Sequence, residues 1–129
     1  MSGSVEAATV LAVLQLHAEY GSRMDGGDPE GLARLFTEDG VFSFEETDTI
    51  GWAALADFAR ASPVGIHVSG APTVEAGPDA TVLTRCNFVF VSPENRRITT
   101  GWYVDTLVPG GDGLLFARRR AELRGRMDL

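Results

Sequence analysis

Residues 17–44, "HAEYGSRMDGGDPEGLARLFTEDGVFSF", are the stretch from which the fold can be worked out. They predict the end of a helix, a tight turn, a second short helix and the start of a strand. Asp25 stands at the foot of the first helix, where the chain turns back on itself. Two interpretations are open for this acid: it brackets a turn, or it points into a cavity and handles protons.

The part of the chain before residue 62 predicts three helices. Amphipathic spacing predicts the first over 5–24, with Ser4 as its N-cap. Asp28 followed by Pro29 predicts the start of the second, and 52–61 form the third. The apolar side of the first helix is predicted to hold Val10, Val13, Leu14, His17 and Tyr20.

The rest of the chain predicts strands. Runs rich in Val, Thr and Phe over 80–92, 98–108 and 114–124 are joined by turn sequences, and 41–44 form a short earlier strand followed by an acidic loop. Helices that precede strands indicate an α+β fold. We expect one domain, 1–129, in which three N-terminal helices pack on a curved antiparallel sheet that forms a cone with an internal pocket.

Composition excludes several classes of function. The net charge is −7 and every basic residue is an arginine, which disfavours binding to a phosphate backbone, so we expect no nucleic-acid partner. The single cysteine, Cys86, lies in an apolar run and is expected to be a buried small side chain. No Cys/His cluster has zinc spacing, so no metal is predicted. The N-terminus lacks a basic leader region and no apolar run could span a bilayer, which predicts a cytoplasmic protein without membrane contact.

Five segments, taken in order, resemble the SnoaL-like group of the nuclear-transport-factor-two-like superfamily, near scytalone dehydratase and the ketosteroid isomerases. These segments are YGSRMDGGDPEGLARLF (20–36), GWAALADF (51–58), HVSG (67–70), GWYVDTLV (101–108) and GDGLLFARRRAEL (111–123). The resemblance covers nearly the whole chain. It implies the cystatin-like α+β barrel of that superfamily, and an internal pocket for a small apolar organic substrate.

The resemblance also implies a catalytic group. Asp25 and His67 fall where the dehydratases have an Asp–His pair, and Tyr20 falls where the isomerases have a tyrosine that donates to the substrate oxygen. Two positions depart from these relatives: Met24 replaces a tyrosine of the dehydratase, and Phe44 stands near the isomerase aspartate and cannot carry a proton. These departures argue against a strict copy of either reaction.

Further residues are candidates for substrate binding: Tyr103, Asn87, Asp105, Trp52, Phe44 and Met24. Asn87 binds substrate if it lies on the concave face of the sheet, and is merely exposed if it lies on the convex face. Asp105 either faces the ligand or pairs with Arg118 or Arg120 of the last strand, since a buried carboxylate needs a partner. His17 is expected to be a core histidine with satisfied nitrogens.

These residues predict a cofactor-independent lyase or isomerase, of the dehydratase or cyclase type, that uses Asp25 and His67 as an acid–base pair. Its substrate would be an apolar, oxygenated cyclic or polyketide-type metabolite. One alternative is a non-catalytic module that binds a small molecule or a partner subunit. Another is an epoxide hydrolase, which would need Asp105 and a last-strand arginine around a water. We expect a homodimer formed through the strands around 85–91 and 98–108.

Overall fold

The computed structural model of the protein describes residues 5–129, so the proposed cap at Ser4 lies outside the described residues. The helices are α1 (Ala7–Asp25), α2 (Pro29–Ala33) and α3 (Trp52–Ala61). The strands are β1 (Phe36–Phe44), β2 (Thr47–Ile50), β3 (Ile66–Ser69), β4 (Thr73–Ala76), β5 (Val82–Ser92), β6 (Arg97–Gly110) and β7 (Gly113–Asp128). The order of helices and strands is the α+β order that the sequence predicts. Among the described helices, none is long and apolar enough to cross a membrane.

The three helices form where the sequence predicts them, with small differences. α1 buries one side at helical spacing, through Val13, Leu16, His17 and Tyr20. Leu14, which was predicted on this side, is 42% exposed because Leu16 occupies the buried stripe instead. α2 begins as expected, with the Asp28 carboxylate accepting a hydrogen bond from the Gly31 N–H at 3.0 Å. It ends at Ala33, three residues before the end of the segment PEGLARLF (29–36) that the sequence predicts as helical.

Seven strands form one sheet in the order β2-β1-β7-β6-β5-β3, and β4 also pairs with β5. Two expectations are corrected here. The sheet is not closed into a barrel, because the four-residue strands at its two edges do not pair with each other. The sheet is also mixed, since β1 runs parallel to β7 while the other pairs are antiparallel.

The acidic segment that follows β1 is a hairpin rather than a loop. Glu45 and Glu46 adopt positive φ angles of 48° and 65°, and β2 then pairs back on β1. Two successive left-handed residues match the twist of a tight hairpin, although glycine or asparagine would usually occupy them. The absence of those residues explains why the sequence pattern missed β2.

The buried core and the open part of the sheet lie at opposite ends of the long strand β6. Leu107 is fully buried near Phe116, in the apolar core under the helices. Tyr103 lies further along the same face, and Thr99 is partly exposed beyond it. Since alternate residues of a strand share a face, β6 leads from the packed core to a cavity between the helices and the sheet.

Candidate active site

A cavity of about 340 Å³ opens between the helices and the concave face of the sheet. Its walls are mainly aromatic and come from β1, α3 and β5, through Phe42, Phe44, Phe58, Phe88 and Phe90. Tyr20, Met24, His67 and Tyr103 also line it. The volume lies within the range of ordinary small-molecule sites, and the apolar walls suit a flat ring system.

Asp25 and His67 meet at one side of this cavity. The Nδ1 of His67 lies 2.6 Å from Oδ1 of Asp25, and the backbone N–H of His67 donates to Oδ2 at 2.8 Å. Both oxygens of one carboxylate are therefore bound by one residue, although 42 positions separate the two in the chain. The side chain of Asp25 is 16% exposed and that of His67 is 12% exposed, so the pair is largely withdrawn from bulk water.

The position of Asp25 has an electrostatic cost within its own helix. It is the last residue of α1, where the helix dipole is negative and disfavours a carboxylate. The two hydrogen bonds from His67 offset this cost, and one of them satisfies a backbone N–H on the short strand β3. A residue that breaks a local preference and is held in place by a distant partner is typical of functional sites.

The hydrogen bonds of His67 fix its protonation state and tautomer. A carboxylate can only accept, so the Nδ1 of His67 carries a proton, and in the neutral ring Nε2 therefore keeps its lone pair. Burial lowers the pKa of His67 below 6.5, and the hydrogen bond that His67 donates to Asp25 opposes this shift only in part. His67 is thus neutral at neutral pH. Within the described residues Nε2 has no hydrogen-bond partner, and His67 lines the cavity, so this nitrogen is available as a base.

Two tyrosines lie over a buried arginine beside the Asp25–His67 pair, which we call the dyad. The guanidinium carbon of Arg119 is 4.2 Å from the ring centroid of Tyr20 and 3.7 Å from that of Tyr103. Burial raises the pKa of Tyr20 to about 12, and the charge of Arg119 opposes the rise. The phenols are therefore protonated at neutral pH and can donate to an oxygen of a bound molecule.

His17 belongs to a separate network beneath the tyrosines. Arg119 donates to Asp105 from Nε at 2.9 Å, and Thr84 donates to the same carboxylate at 3.1 Å. The Nε2 of His17 lies 3.4 Å from both Thr84 and Asp105. Burial, followed by the charge of Arg119, lowers the pKa of His17 to about 3, so this histidine is neutral. The expectation of a core histidine is confirmed.

The structure brings some of the predicted site residues to the cavity and leaves others outside it. Tyr20, His67, Tyr103, Phe44 and Met24 line it, and Asp25 reaches it through His67.

Two of the predicted contact residues lie outside the cavity. Asn87 is exposed, because it alternates with the buried Cys86 and Phe88 and so lies on the convex face. Trp52 lies outside as well, since its indole N–H donates to the Phe36 carbonyl at 2.9 Å.

Asp105 is also outside the cavity, and its partner corrects the prediction. It is 2% exposed and pairs with Arg119, not with Arg118 or Arg120. The register between β6 and β7 shifts between Thr106 and Leu107, which leaves Ala117 as an extra residue in β7. Such a bulge reverses the alternation along a strand, so Arg119 turns inward.

Four polar residues at the exposed end of the cavity were not predicted as site residues: Asn95, Arg97, Thr99 and Arg126. We call this group the cavity mouth. Arg97 and Thr99 share a face of β6 with Tyr103, which is the one signal in the sequence that could have pointed to them. Among residues 5–129, no group of three His, Cys, Asp or Glu side chains is placed to hold a metal ion.

Solved structures with the same fold are numerous, and three illustrate their range. A protein of unknown function from Mycobacterium tuberculosis is 27% identical with a TM-score of 0.81, covering 89% of this chain and 76% of that one. A protein from Novosphingobium aromaticivorans, provisionally named a scytalone dehydratase, is 21% identical with a TM-score of 0.79, covering 92% and 86%. An NTF2-like protein with a cystatin-like fold, from the same organism, is 24% identical with a TM-score of 0.74, covering 89% and 81%.

No protein with curated functional information matches the sequence. The family profile described as SnoaL-like domain matches residues 5–120, which is most of the chain. This match confirms the resemblance that the sequence motifs indicate. The chain belongs to the SnoaL-like domain family.

Proposed function

We propose that this protein is a lyase or isomerase that moves protons on an apolar, oxygenated cyclic substrate, with groups supplied by the chain itself. The observation that carries the proposal is the 2.6 Å contact between His67 and Asp25 at the wall of an aromatic cavity. The pair holds a neutral imidazole with its free nitrogen available to a bound molecule. General acid–base catalysis of this kind requires such a base within hydrogen-bond reach of the proton it removes.

The proposed reaction begins with the removal of a proton from a carbon next to a substrate carbonyl. Nε2 of His67 accepts this proton, and Asp25 stabilises the imidazolium that forms. The electrons of the broken C–H bond form an enolate, whose oxygen accepts a hydrogen bond from Tyr20. The imidazolium then returns the proton to another carbon, which is isomerisation, or to a β-hydroxyl that leaves as water, which is dehydration.

Two alternatives fit the geometry less well. A module that only binds ligands would not need the dyad, whose carboxylate stands at an unfavourable helix end. An epoxide hydrolase would need a carboxylate, an arginine and a second carboxylate around a water. Asp105 and Arg119 do pair, but they are 2% and 1% exposed and neither lines the cavity. The third member of their network is His17, not a second carboxylate.

The test does not require the natural substrate. 2-Tetralone is a fused-ring ketone with exchangeable protons beside its carbonyl, and their replacement by deuterium in D₂O can be followed by NMR. We expect the protein to accelerate the exchange and His67→Ala to abolish most of the acceleration. Binding of 2-tetralone without any acceleration over buffer would contradict the proposal and favour the binding module.

We also propose that the protein forms a homodimer through the convex face of its sheet. Ile66, Val91, Ile98 and Met127 are paired in register across β3, β5, β6 and β7, which aligns them in one row. Ile66 and Met127 are each 57% exposed, and Val68 beside them is 59% exposed. Contiguous apolar surface of this kind is typical of an interface. Light scattering should give twice the chain mass, and Val68→Glu should give a monomer.

A further inference from the structure

The cavity has two chemically different ends. His67 lies on β3 at one side, and three residues of the cavity mouth, Arg97, Thr99 and Arg126, lie on β6 and β7 at the other. His67, Phe90, Thr99 and Arg126 are register partners in successive strands, so they form a row across the concave face. Three strand spacings separate the backbones of His67 and Arg126, which is about 14 Å along the sheet. A molecule that fills the cavity therefore contacts the base at one end and the arginines at the other.

Two arginines stand at the mouth, and each has an acidic partner outside the cavity lining: Asp128 for Arg97 and Glu45 for Arg126. Arg97 and Arg126 line the cavity, and among the described residues that line it none carries a carboxylate. This contrasts with the chain as a whole, whose net charge is −7. The phenylalanine walls between the two ends offer no charged group to a ligand. A ligand with one negative group would be oriented by the mouth before any chemistry begins.

Arg97 is the less engaged of the two arginines. Its Nε lies 3.8 Å from Asp128, beyond hydrogen-bond distance, and within residues 5–129 its guanidinium has no hydrogen-bond partner. Arg126 is held by Glu45 through one terminal nitrogen. A planar guanidinium with free donors is the group best suited to bind a carboxylate through two hydrogen bonds.

We propose that the substrate is a fused-ring acid, whose carboxylate binds Arg97 and Arg126 at the mouth while its oxygenated ring carbon lies at His67. This inference rests on the function proposed above and adds the charge and the orientation of the substrate. The ring system occupies the aromatic walls, and the carboxylate remains next to solvent. The mouth thus determines which end of the molecule reaches the base.

The experiment compares two probes that share a ring system and differ in charge. 2-Naphthoate and 2-naphthamide are titrated into the protein at pH 8 by calorimetry, and NMR of the His67 imidazole reports whether each enters the cavity. We expect about fivefold tighter binding of the acid, the size that two half-exposed ion pairs provide. Arg97→Gln with Arg126→Gln should remove this preference and leave the amide unaffected.

The matched control is Arg120→Gln. This arginine lies on the same strand as Arg126 and pairs with Glu122, but it does not line the cavity. Its loss lowers the net charge without touching the mouth, so the preference for the acid should persist.

Three results overturn the inference. Equal affinity for the two probes, or a preference that survives the double substitution, refutes the carboxylate site and leaves the proton chemistry at His67 standing. If neither probe shifts the His67 resonance, the cavity does not accept fused rings. The proposed function then fails together with the inference.

Discussion

The protein contains two histidines, and each lies against an aspartate, yet the two pairs have opposite surroundings. Both nitrogens of His17 are occupied: Nε2 faces Thr84 and Asp105, and Nδ1 lies 3.4 Å from Cys86 and 3.3 Å from Arg119. Asp105 is already neutralised by Arg119. His67 has one nitrogen bound and one free at a cavity wall. The same residue types therefore form a structural network in one place and a candidate catalytic pair in the other.

The two histidines differ in their access to the cavity and in the charged group closest to each of them. Burial lowers the pKa of His17 to about 3, and Arg119 adds to this because a protonated His17 would place two positive charges together. His67 donates to the Asp25 carboxylate, which opposes the lowering of its pKa by burial, and the charge of Arg119 is the smallest of the effects that lower it. Burial and a partner are common to both histidines, and a free nitrogen at a cavity wall is what makes His67 the candidate base.

Substitution of His67 gives the largest expected effect. His67→Ala removes the base, so deuterium exchange of 2-tetralone should slow by about 10²–10⁴-fold. The free energy of unfolding should fall by about 1–3 kcal/mol, because Asp25 loses the hydrogen bond from the imidazole and keeps the one from the backbone N–H. Chemical denaturation checks the fold, and an exchange rate equal to that of the wild type would remove His67 from the mechanism.

Substitution of Arg119 tests the other pair. Arg119→Met leaves Asp105 as a buried charge without its partner, which should lower the free energy of unfolding by about 3–5 kcal/mol. Arg120→Met is the matched control, since its side chain is half-exposed and its loss should cost less than about 0.5 kcal/mol. Urea denaturation measures both. Equal stabilities for the two variants would show that the buried network does not support the fold.

His17 should make the stability of the protein depend on pH. Its folded-state pKa of about 3 lies below the unfolded value of 6.5, so the unfolded chain binds a proton that the native chain does not. Stability contributed by neutral His17 is therefore present above pH 6.5 and is lost on acidification. Between pH 6.5 and pH 4.5 the loss should be about 2 kcal/mol. In His17→Leu the free energy of unfolding should change much less between pH 6.5 and pH 4.5. If it changes as much as in the wild type, another group causes the pH dependence.

Substitution of Asp25 gives the smallest effect and acts through His67. Asp25→Asn removes the carboxylate that raises the pKa of His67, so that pKa should fall further below 6.5 than it does in the wild type. Because neutral His67 is the active form, the exchange rate falls as the pH drops through this pKa. The acid limb of the pH–rate profile should therefore lie at lower pH in Asp25→Asn than in the wild type. The rate on the plateau should fall about tenfold, since the imidazole loses its fixed tautomer.

Two outcomes separate this positioning role from a purely structural one. A fall in rate with an unmoved acid limb would mean that Asp25 does not govern the titration of His67. Substitution of Asp28, which caps α2 a few residues away, should leave the acid limb in place and serves as the control.

Local patterns in the sequence were sufficient for much of the fold. The third helix, predicted at 52–61, is observed as Trp52–Ala61, since a glycine precedes it and Ser62–Pro63 ends it. The hairpin strands β5, β6 and β7 follow from β-branched runs that are separated by the turn segments PENRR (93–97) and PGGDG (109–113). The parallel pairing of β1 with β7 could not be predicted in this way, because it joins distant segments without any local signal.

The site was predictable only in part. The 42-residue separation of Asp25 and His67 has no periodicity, so the pair came from the resemblance to the family and not from spacing. The choice among Arg118, Arg119 and Arg120 depended on the bulge at Ala117, which no turn residue marks. Asn87 alternates correctly with its neighbours, but alternation alone does not say which face of a sheet is concave.

The central claim is that His67 is a neutral base with its proton on Nδ1, and ¹⁵N NMR of the imidazole rings tests it most directly. The chain has two histidines, so comparison of the wild type with His67→Ala assigns the imidazole resonances of both. At pH 7 we expect His67 to be neutral with a bare Nε2, and 2-tetralone to shift its resonances while those of His17 stay in place. A protonated His67 at pH 7, a proton on Nε2, or a ligand shift confined to His17 would contradict the account.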